Sequence, residues 1–442
     1  MIKWKSLTPG GIMTAHKIFG AVAVCIGILC GGCAGTETAD NGITLWHWMT
    51  DRDEAFQELA DRYTEETGIP VKIKLFFPPG LYSQKVIAAA RAGNLPEIFG
   101  ILGEKKTLSS FIQAGHVENL TPRMNAQDAA WESRFYPETL AVVRFEEDNA
   151  YGVSRGIYGV PVDTTVLQFI YNTELMEEAG LDPDAPPKNY AQFIDAGQKA
   201  RETLGIDGFI CGWAEGWLLN ALATEWAINI MGEEKFQATI AGEIAYTNPQ
   251  WIEVFTLFED LRESGILANN ITTITNKEAE DAFARGNALF SFNGSWAVNV
   301  YRQLSPGMEY RFFALPQVSD DHPVKIWGGA GSAFMVNANS PLKAKASDFL
   351  EWLTEKEQQK YLVAETNNLP AVKMQRESLP VILRPLVDDL GALTHPNVWP
   401  YNEDSRVLEA MNRGLQQIVM GIKEPNEVAE KVQSIKDRVT EQ

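Results

Sequence analysis

Short apolar stretches alternate with amphipathic stretches between residues 43 and 99, and this alternation restricts the fold more than any other feature. The predicted strands are residues 43–48, 71–76 and 95–99, and the predicted helices between them are residues 51–66 and 82–92. In the first of these helices, Phe56, Leu59 and Tyr63 recur at helical spacing. The order strand, helix, strand, helix, strand predicts an α/β fold with a mostly parallel sheet.

The same alternation resumes after Gly159, and the chain becomes mainly helical from Pro341 onward. The patterns predict strands at residues 166–171, 288–292, 311–315 and 332–336, and helices at residues 189–204, 249–264, 343–354, 355–365 and 425–439. No Pro-, Gly- or Ser-rich spacer separates two halves of the sequence. A two-lobed chain without a spacer must cross between its lobes on strands or short segments, and such crossings make a hinge.

The first 33 residues have the pattern of a secretory signal. Basic residues precede an apolar run at residues 18–29, which is shorter than the roughly 20 residues that span a bilayer as a helix. The run ends in small residues and Cys33, an arrangement that resembles bacterial lipoprotein signals. That resemblance implies cleavage before Cys33, a lipid on its thiol, a polar tether at residues 34–41 and anchoring outside the cytoplasm. A plain secreted protein cut near Gly32 is the alternative.

The charge of the chain restricts its partners, and its cysteine content restricts what stabilises it. The sequence has 38 basic and 58 acidic residues, a net charge of −20. Such a surface repels nucleic acid and anionic lipid headgroups. Cys25 and Cys30 lie within the signal, and a lipidated Cys33 leaves Cys211 without a disulfide partner. Core burial, and not disulfides, must therefore stabilise the fold.

Several short motifs occur in a fixed order from about residue 42 to the end of the chain. They are GNLPEI at residues 93–98, GIYGVPVD at 156–163, IYNTEL at 170–175, NGSW at 293–296, GGAG at 328–331 and NLPA at 368–371. In this order and spacing they resemble the family 1 extracellular solute-binding proteins of ABC importers, many of which are sugar-binding lipoproteins.

The resemblance implies a type II periplasmic-binding fold, in which two α/β lobes enclose a ligand cleft and the chain crosses between them three times. By analogy, the crossings fall near residues 163–165, 315–316 and 334–337. The first lobe would contain residues 42–163 with 316–333, and the second lobe residues 164–315 with 334–442. The implied function is capture of a sugar or oligosaccharide by hinge closure and delivery to a permease, by a monomer without a cofactor or catalytic residues.

A sugar has an apolar face and a rim of hydroxyls, so its site combines aromatic platforms with a few polar groups. Ligands of open α/β sheets bind beyond the carboxyl ends of strands. Candidates at such positions or beside glycines are Trp48, Trp213, Trp217, Trp296, Trp327 and Trp399, the carboxylates of Asp51, Glu104, Asp163 and Glu215, and the backbone of Gly328 and Gly329. The alternatives are core packing or interlobe contact for each tryptophan, a helix N-cap for Asp51 and a tight interlobe turn for the glycines.

Other functions remain open at this point. A binder of a charged solute, such as a polyamine or amino acid, would share the fold and differ in its cleft. A secreted carbohydrate-active enzyme is a further alternative, since 58 acidic residues supply carboxylate pairs by chance. Residues 152–156, GVSRG, match the nucleophile-elbow pattern, but the polar residues 146–150 precede them where a buried strand is needed. Five scattered histidines have no metal-ligand spacing, so no metal is predicted.

Overall fold

The computed structural model describes residues 42–102, 105–149, 151–388 and 403–441. The predicted signal, Cys33, the tether at residues 34–41, and the candidates Glu104 and Trp399 lie outside these residues. Two main sheets and two large hydrophobic clusters define two lobes. No helix in the described ranges is long and apolar enough to cross a membrane.

The first lobe is built on a five-stranded sheet. In spatial order its strands are β2 (Val71–Leu75), β1 (Ile43–His47), β3 (Ile98–Gly100), β12 (Ala333–Val336) and β6 (Val160–Pro161). Its helices are α1 (Asp53–Thr67), α2 (Pro79–Ala92), α3 (Lys105–Gln113), α4 (Thr121–Met124), α5 (Ala126–Ala129), α6 (Pro137–Leu140), α13 (Lys343–Leu353) and α14 (Lys356–Thr366). A two-stranded sheet, β4 (Arg144–Phe145) with β5 (Gly156–Ile157), lies beside them.

The second lobe is built around one long, fully buried strand, β7 (Asp163–Asn172). Its other strands are β8 (Asp207–Ile210), β9 (Ala288–Gly294), β10 (Tyr310–Phe313), β11 (Gly328–Ala330) and β13 (Leu369–Pro370). Its helices are α7 (Thr173–Glu178), α8 (Tyr190–Leu204), α9 (Trp217–Ile240), α10 (Pro249–Ser264), α11 (Asn276–Ala284), α12 (Ala297–Leu304), α15 (Arg384–Asp388), α16 (Ser405–Val419) and α17 (Pro425–Thr440).

The opening of the chain folds as its sequence pattern predicts. β1, β2 and β3 pair in parallel, with Ile43 opposite Val71 and Leu45 opposite Ile98. On α1, Phe56, Leu59 and Tyr63 are buried at helical spacing, as predicted. Burial of each such side chain contributes roughly 1.5–3 kcal/mol.

The expected mostly parallel sheet is wrong for the molecule as a whole. β12 joins β3 antiparallel, and β7 pairs antiparallel with β9, β10, β11 and β13. Both sheets are therefore mixed. β7 and β12 each enter their sheet after the chain has crossed from the other lobe. Each runs antiparallel to its neighbouring strand in that sheet.

The predicted division of the later chain between the lobes is also corrected by the strand pairing. β12 belongs to the first sheet, and Phe334 and Phe349 pack against Phe56 and Tyr63 of α1. Residues 333–366 thus lie in the first lobe and not the second, whereas β13 pairs with β7 before Ala371 and Val372 pack again in the first lobe. Residues 316–330 lie in the second lobe, where Gln317 bridges to Asn189 and β11 pairs with β7.

The crossings follow from the same contacts. The chain passes between lobes after β6, at the start of β7, and again between β11 and β12. A third passage follows Val372, which packs in the first lobe, and precedes Val407, which packs in the second. The prediction near residues 163–165 is close to the first passage. The prediction at 315–316 is wrong, because Leu315 packs inside the second lobe.

Candidate ligand-binding cleft

A cleft of about 790 Å³ lies between the two lobes. The first lobe contributes Pro79, Gly80, Ser83 and Leu102, and the second lobe contributes Ala214, Glu215, Gly216, Trp217, Asn220, Trp327, Ser405, Leu408, Glu409, Asn412, Arg413 and Gln416. The volume is that of a site for a small molecule or short oligomer.

Three tryptophans form one wall of this region. The ring centroid of Trp217 is 5.9 Å from that of Trp296 and 6.4 Å from that of Trp327, with interplanar angles of 44° and 50°. All three side chains are half-buried. Trp217 and Trp327 line the cleft directly, and Trp296 packs against Trp217.

Backbone hydrogen bonds hold Trp327 in this wall. Its backbone N–H donates to Glu225 Oε1 at 2.7 Å, and its carbonyl oxygen accepts from the N–H of Leu167 at 2.8 Å. Glu225 is 1% exposed on α9. Burial raises the pKa of Glu225 well above its usual value, with the Trp327 hydrogen bond opposing that shift.

The start of α9 brings Glu215 and Trp217 together. Gly216 between them has φ of 63°, and a Cβ there would meet Asn412 at 3.1 Å, so glycine suits both the turn and the close approach of α16. The exposed carboxylate of Glu215 accepts from Trp217 Nε1 at 3.1 Å. It also accepts from the backbone N–H of Asn276 at 3.2 Å.

Helix α16 supplies most of the polar lining. Asp404 caps its N-terminus by accepting from Arg406 N. Gln416 Nε2 donates to the carbonyl oxygen of Trp213 at 2.7 Å, which ties the helix to the loop before α9. Arg413 Nη2 lies 2.5 Å from Glu409 Oε1. The cationic group in the described lining is thus already paired with a carboxylate.

The first lobe offers a less polar surface at the cleft. Pro79 and Gly80 begin α2, and the flanking Phe77 and Leu81 are more than half exposed, at 51% and 57%. Exposed apolar side chains beside a cleft suit contact with the apolar face of a ligand.

The structure brings Glu215, Trp217 and Trp327 together at the cleft and places Trp296 directly behind them. Trp213 lies elsewhere, 0% exposed in the core of the second lobe against Phe209 and Phe258. It presents no surface to a ligand, so its predicted contact is replaced by core packing.

Trp48 lies in the first lobe at the carboxyl end of β1. Its half-buried ring packs on Tyr82 at a centroid distance of 5.1 Å, over Gly100, where a Cβ would clash with the ring at 2.3 Å. Trp48 is not among the described residues that line the cleft.

The two predicted aspartates lie at the lobe junction and not in the cleft. Asp163 is 2% exposed and accepts from Arg52 Nη1 and the backbone N–H of Ser332. Asp51 accepts from Arg52 Nε and Asn368 Nδ2, both at 3.2 Å. These contacts occupy the carboxylates with partners inside the protein.

Gly328 and Gly329 also serve the junction. They form strand β11, in which Gly328 is opposite Val166 and Gly329 opposite Thr165 of β7. A short paired strand is neither the backbone cradle nor the tight interlobe turn that the sequence offered as the alternative.

The sequence patterns singled out neither the first-lobe residues of the cleft nor any part of α16. For α16 a signal was present, since Asp404 is a typical N-cap and Val407, Met411, Leu415 and Ile418 recur at helical spacing and are buried. For Pro79, Gly80 and Leu102 no pattern in the sequence marked a ligand-facing position.

Comparison with known proteins agrees with this geometry. The family model of bacterial extracellular solute-binding proteins matches residues 46–360. The multiple sugar-binding protein of Streptococcus mutans is 25% identical over 306 residues, 67% of this chain and 67% of that protein. The sn-glycerol-3-phosphate-binding periplasmic protein UgpB of Escherichia coli K12 is 24% identical over 358 residues, 77% and 76% of the two chains.

Among solved structures, a chitin oligosaccharide binding protein superposes with a TM-score of 0.76 at 22% identity. The match covers 90% of this chain and 98% of that protein. At this identity the likeness shows the shared fold and carries no further conclusion about the ligand.

Proposed function

Because this chain belongs to the bacterial extracellular solute-binding proteins, we propose that it is the substrate-binding component of an ABC importer and that its ligand is a neutral sugar or oligosaccharide. The observation that carries the proposal is the tryptophan-lined cleft between the lobes. The name of the multiple sugar-binding relative supports the same ligand class.

The chemistry of the cleft fits a sugar. The rings of Trp217 and Trp327 match the apolar face of a pyranose, and the side chains of Asn220, Asn412 and Gln416 offer donors and acceptors to its hydroxyls. The exposed carboxylate of Glu215 can accept from a hydroxyl more strongly than a neutral group can.

The charge of the cleft argues against an anionic ligand such as the one named for UgpB. The described lining contains Glu215 and Glu409 but one cation, Arg413, which Glu409 already neutralises. A phosphate would meet net negative charge there. The same carboxylates favour a cationic solute as the second candidate, and an amine would pair with Glu215 directly.

The mechanism we propose is hinge closure without turnover. Open lobes admit the solute, and ligand contacts from both lobes stabilise the closed form, which then docks on a permease. Cys33, outside the described residues, would carry the lipid that holds the protein at the outer face of a bacterial membrane. Mass spectrometry of the N-terminal peptide from membrane-extracted protein tests that anchor, and an unmodified terminus cut elsewhere would refute it.

A thermal-shift screen of the chain from residue 36 onward tests the ligand class. The arms are neutral mono- and oligosaccharides, polyamines and amino acids, and sn-glycerol 3-phosphate. A ligand at 100 times its dissociation constant stabilises the native state by about 2.7 kcal/mol. We expect a rise in melting temperature with one class of neutral sugar, and the Trp217→Ala variant should lose most of it.

Each other outcome has a clear meaning. A rise with amines alone would make the cationic solute the ligand, and a rise with glycerol 3-phosphate would contradict the charge argument. Slow release of reducing ends from a bound oligosaccharide would show an enzyme instead of a binder.

A further inference from the structure

A buried carboxylate lies behind the tryptophan wall and accepts hydrogen bonds from three side chains. Glu280, on α11, is 0% exposed. Its Oε1 accepts from Trp296 Nε1 at 3.0 Å, from Asn276 Nδ2 at 3.0 Å and from Asn293 Nδ2 at 3.1 Å. One oxygen thus holds the indole of Trp296 and both amides that flank it.

The same network reaches the tryptophan that lines the cleft. The backbone N–H of Asn276 donates to Glu215 Oε1 at 3.2 Å, and Glu215 Oε2 accepts from Trp217 Nε1 at 3.1 Å. The rings of Trp217 and Trp296 are themselves in contact, at 5.9 Å between centroids. The contacts therefore form a closed loop in which each of two indole N–H groups has its own carboxylate.

The local sequence explains how this loop is held. Thr275 and Glu278 form a capping box at the start of α11, which fixes the position of Asn276 as the first helical residue. Glu280 follows one turn later on the same face. A buried carboxylate is costly unless it is paired, and Lys277 Nζ lies 2.8 Å from the second oxygen of Glu280.

We propose that Glu280 is a positioning residue for ligand binding, which fixes the ring of Trp296 directly and the ring of Trp217 through Asn276 and Glu215. The inference rests on the proposed function, in which the aromatic wall binds the ligand. Glu280 itself is not among the described residues that line the cleft. A tryptophan whose side-chain rotation is already restricted loses less entropy when a ligand stacks on it. Glu280 therefore preorganises the wall for a flat apolar face.

Two substitutions of Glu280 separate this role from simple packing. Glu280→Gln keeps an oxygen for the three donors, and its new amide N–H groups face Lys277, whose side chain is 48% exposed and can turn to solvent. Glu280→Leu keeps approximate volume and leaves the donors of Trp296, Asn276 and Asn293 without an acceptor. Asp281→Gln and Asp281→Leu, on the exposed face of the same helix, are the matched controls.

The first readout needs no ligand. The protein is labelled with ¹⁵N-tryptophan. The variants Trp296→Phe and Trp217→Phe assign the two indole N–H resonances, because each variant lacks one of them. We expect Glu280→Leu to shift or broaden both resonances and Glu280→Gln to keep both sharp, whereas the Asp281 variants change neither. The second readout is affinity for the sugar that the screen identifies, which should fall roughly ten-fold in Glu280→Leu and be largely restored in Glu280→Gln.

If Glu280→Leu does not fold, Asn276→Ala serves in its place, since it removes one donor to Glu280 and leaves the backbone contact with Glu215. Unchanged indole resonances in a folded Glu280→Leu or Asn276→Ala protein, with only a lower melting temperature, would overturn the proposal. Because the indole spectrum is recorded without ligand, a wild type that binds no sugar refutes the proposed function and leaves this test intact.

Discussion

The cleft and the lobe junction both contain carboxylates that the sequence marked as ligand contacts, and the two regions use them in opposite ways. At the junction, Asp163 is 2% exposed and both of its oxygens accept from the protein, one from Arg52 and one from the backbone of Ser332. In the cleft, Glu215 is exposed and each oxygen accepts a single N–H. A carboxylate oxygen can accept from more than one donor. Glu215 can therefore still accept from a solute, whereas Asp163 is buried among its partners.

The junction network also joins the lobes. Arg52 follows β1 in the first lobe and contacts Asp163 at the start of β7, and its Nη2 donates to Asn368 at 3.0 Å just before β13. From the second lobe, Asn299 Nδ2 donates to the backbone carbonyl of Asp51 at 2.7 Å. The junction thus holds the hinge together, and the cleft is left for the ligand.

Removal of Arg52 should have the largest effect and should appear in stability. Arg52→Leu leaves Asp163 buried without its cation, and breaking a buried pair from one side costs about 3–5 kcal/mol. Urea unfolding measures the loss. Adding Asp163→Asn, which keeps an acceptor for Ser332, should recover much of it.

Arg285→Leu is the control for this prediction, because the Arg285–Asp281 pair is exposed and should contribute less than about 1 kcal/mol. The comparison between the two regions would fail if Arg52→Leu unfolded like the wild type but no longer bound the ligand. In that case Asp163 would be a cleft residue after all.

Replacement of Trp217 should act on binding more than on stability. Trp217→Ala removes a ring that lines the cleft and contacts both Trp296 and Trp327. A central aromatic contact typically contributes at least 2 kcal/mol to binding, so calorimetric titration should show about a 30-fold rise in the dissociation constant.

Trp352→Ala provides the matched comparison, since Trp352 is also half-buried but packs on Tyr63 and Phe349 in the first lobe and is not among the described residues that line the cleft. It should lower stability and leave affinity unchanged. Equal losses of affinity in the two variants would mean that the effect of Trp217→Ala is general and not a property of the cleft.

The sequence predicted those parts of the fold in which periodicity reports burial. Helices α8 and α10 lie within one residue of the predicted bounds, because each has one buried face. Helix α9 was missed for the opposite reason. It is buried on all sides from Leu218 to Gly232, so its apolar residues have no helical period to detect.

The rest depended on tertiary contacts that the sequence does not encode locally. The four apolar residues of β12 predict a strand but not the sheet that it joins. Asp163 ends the motif at residues 156–163 that carries the family resemblance, but its partner Arg52 is 111 positions away. Trp217 and Trp327 were predicted to contact the ligand because glycines lie beside them in the sequence. The same reasoning selected Trp213, but the fold buries its ring in the core.

The ion pair between Lys106 and Asp404 joins the two lobes beside the cleft. Its removal should have the smallest effect on ligand binding of the substitutions considered. Lys106 Nζ, on α3 of the first lobe, lies 3.2 Å from Asp404 Oδ2 beside the cleft residue Ser405 of the second lobe. Lys106 is 58% exposed, and an exposed pair contributes about 0.2–1 kcal/mol. Lys106→Gln should therefore weaken ligand binding by no more than about five-fold, through faster release from the closed form.

The dependence on pH and salt separates this pair from a ligand contact. Hydrogen bonds from Arg406, and to a smaller extent from Lys106, hold the pKa of Asp404 well below its usual value. A carboxylate with a depressed pKa stabilises the folded state above its unfolded pKa and loses that contribution only as pH falls through the folded pKa. The difference in ligand affinity between Lys106→Gln and wild type should thus be constant from pH 5 to 8 and vanish near 1 M salt.

Lys423→Gln is the control. It removes an exposed pair within the second lobe and should leave ligand affinity unchanged, since that pair does not join the lobes. A Lys106 effect that persists in high salt would mean that Lys106 contacts the solute itself.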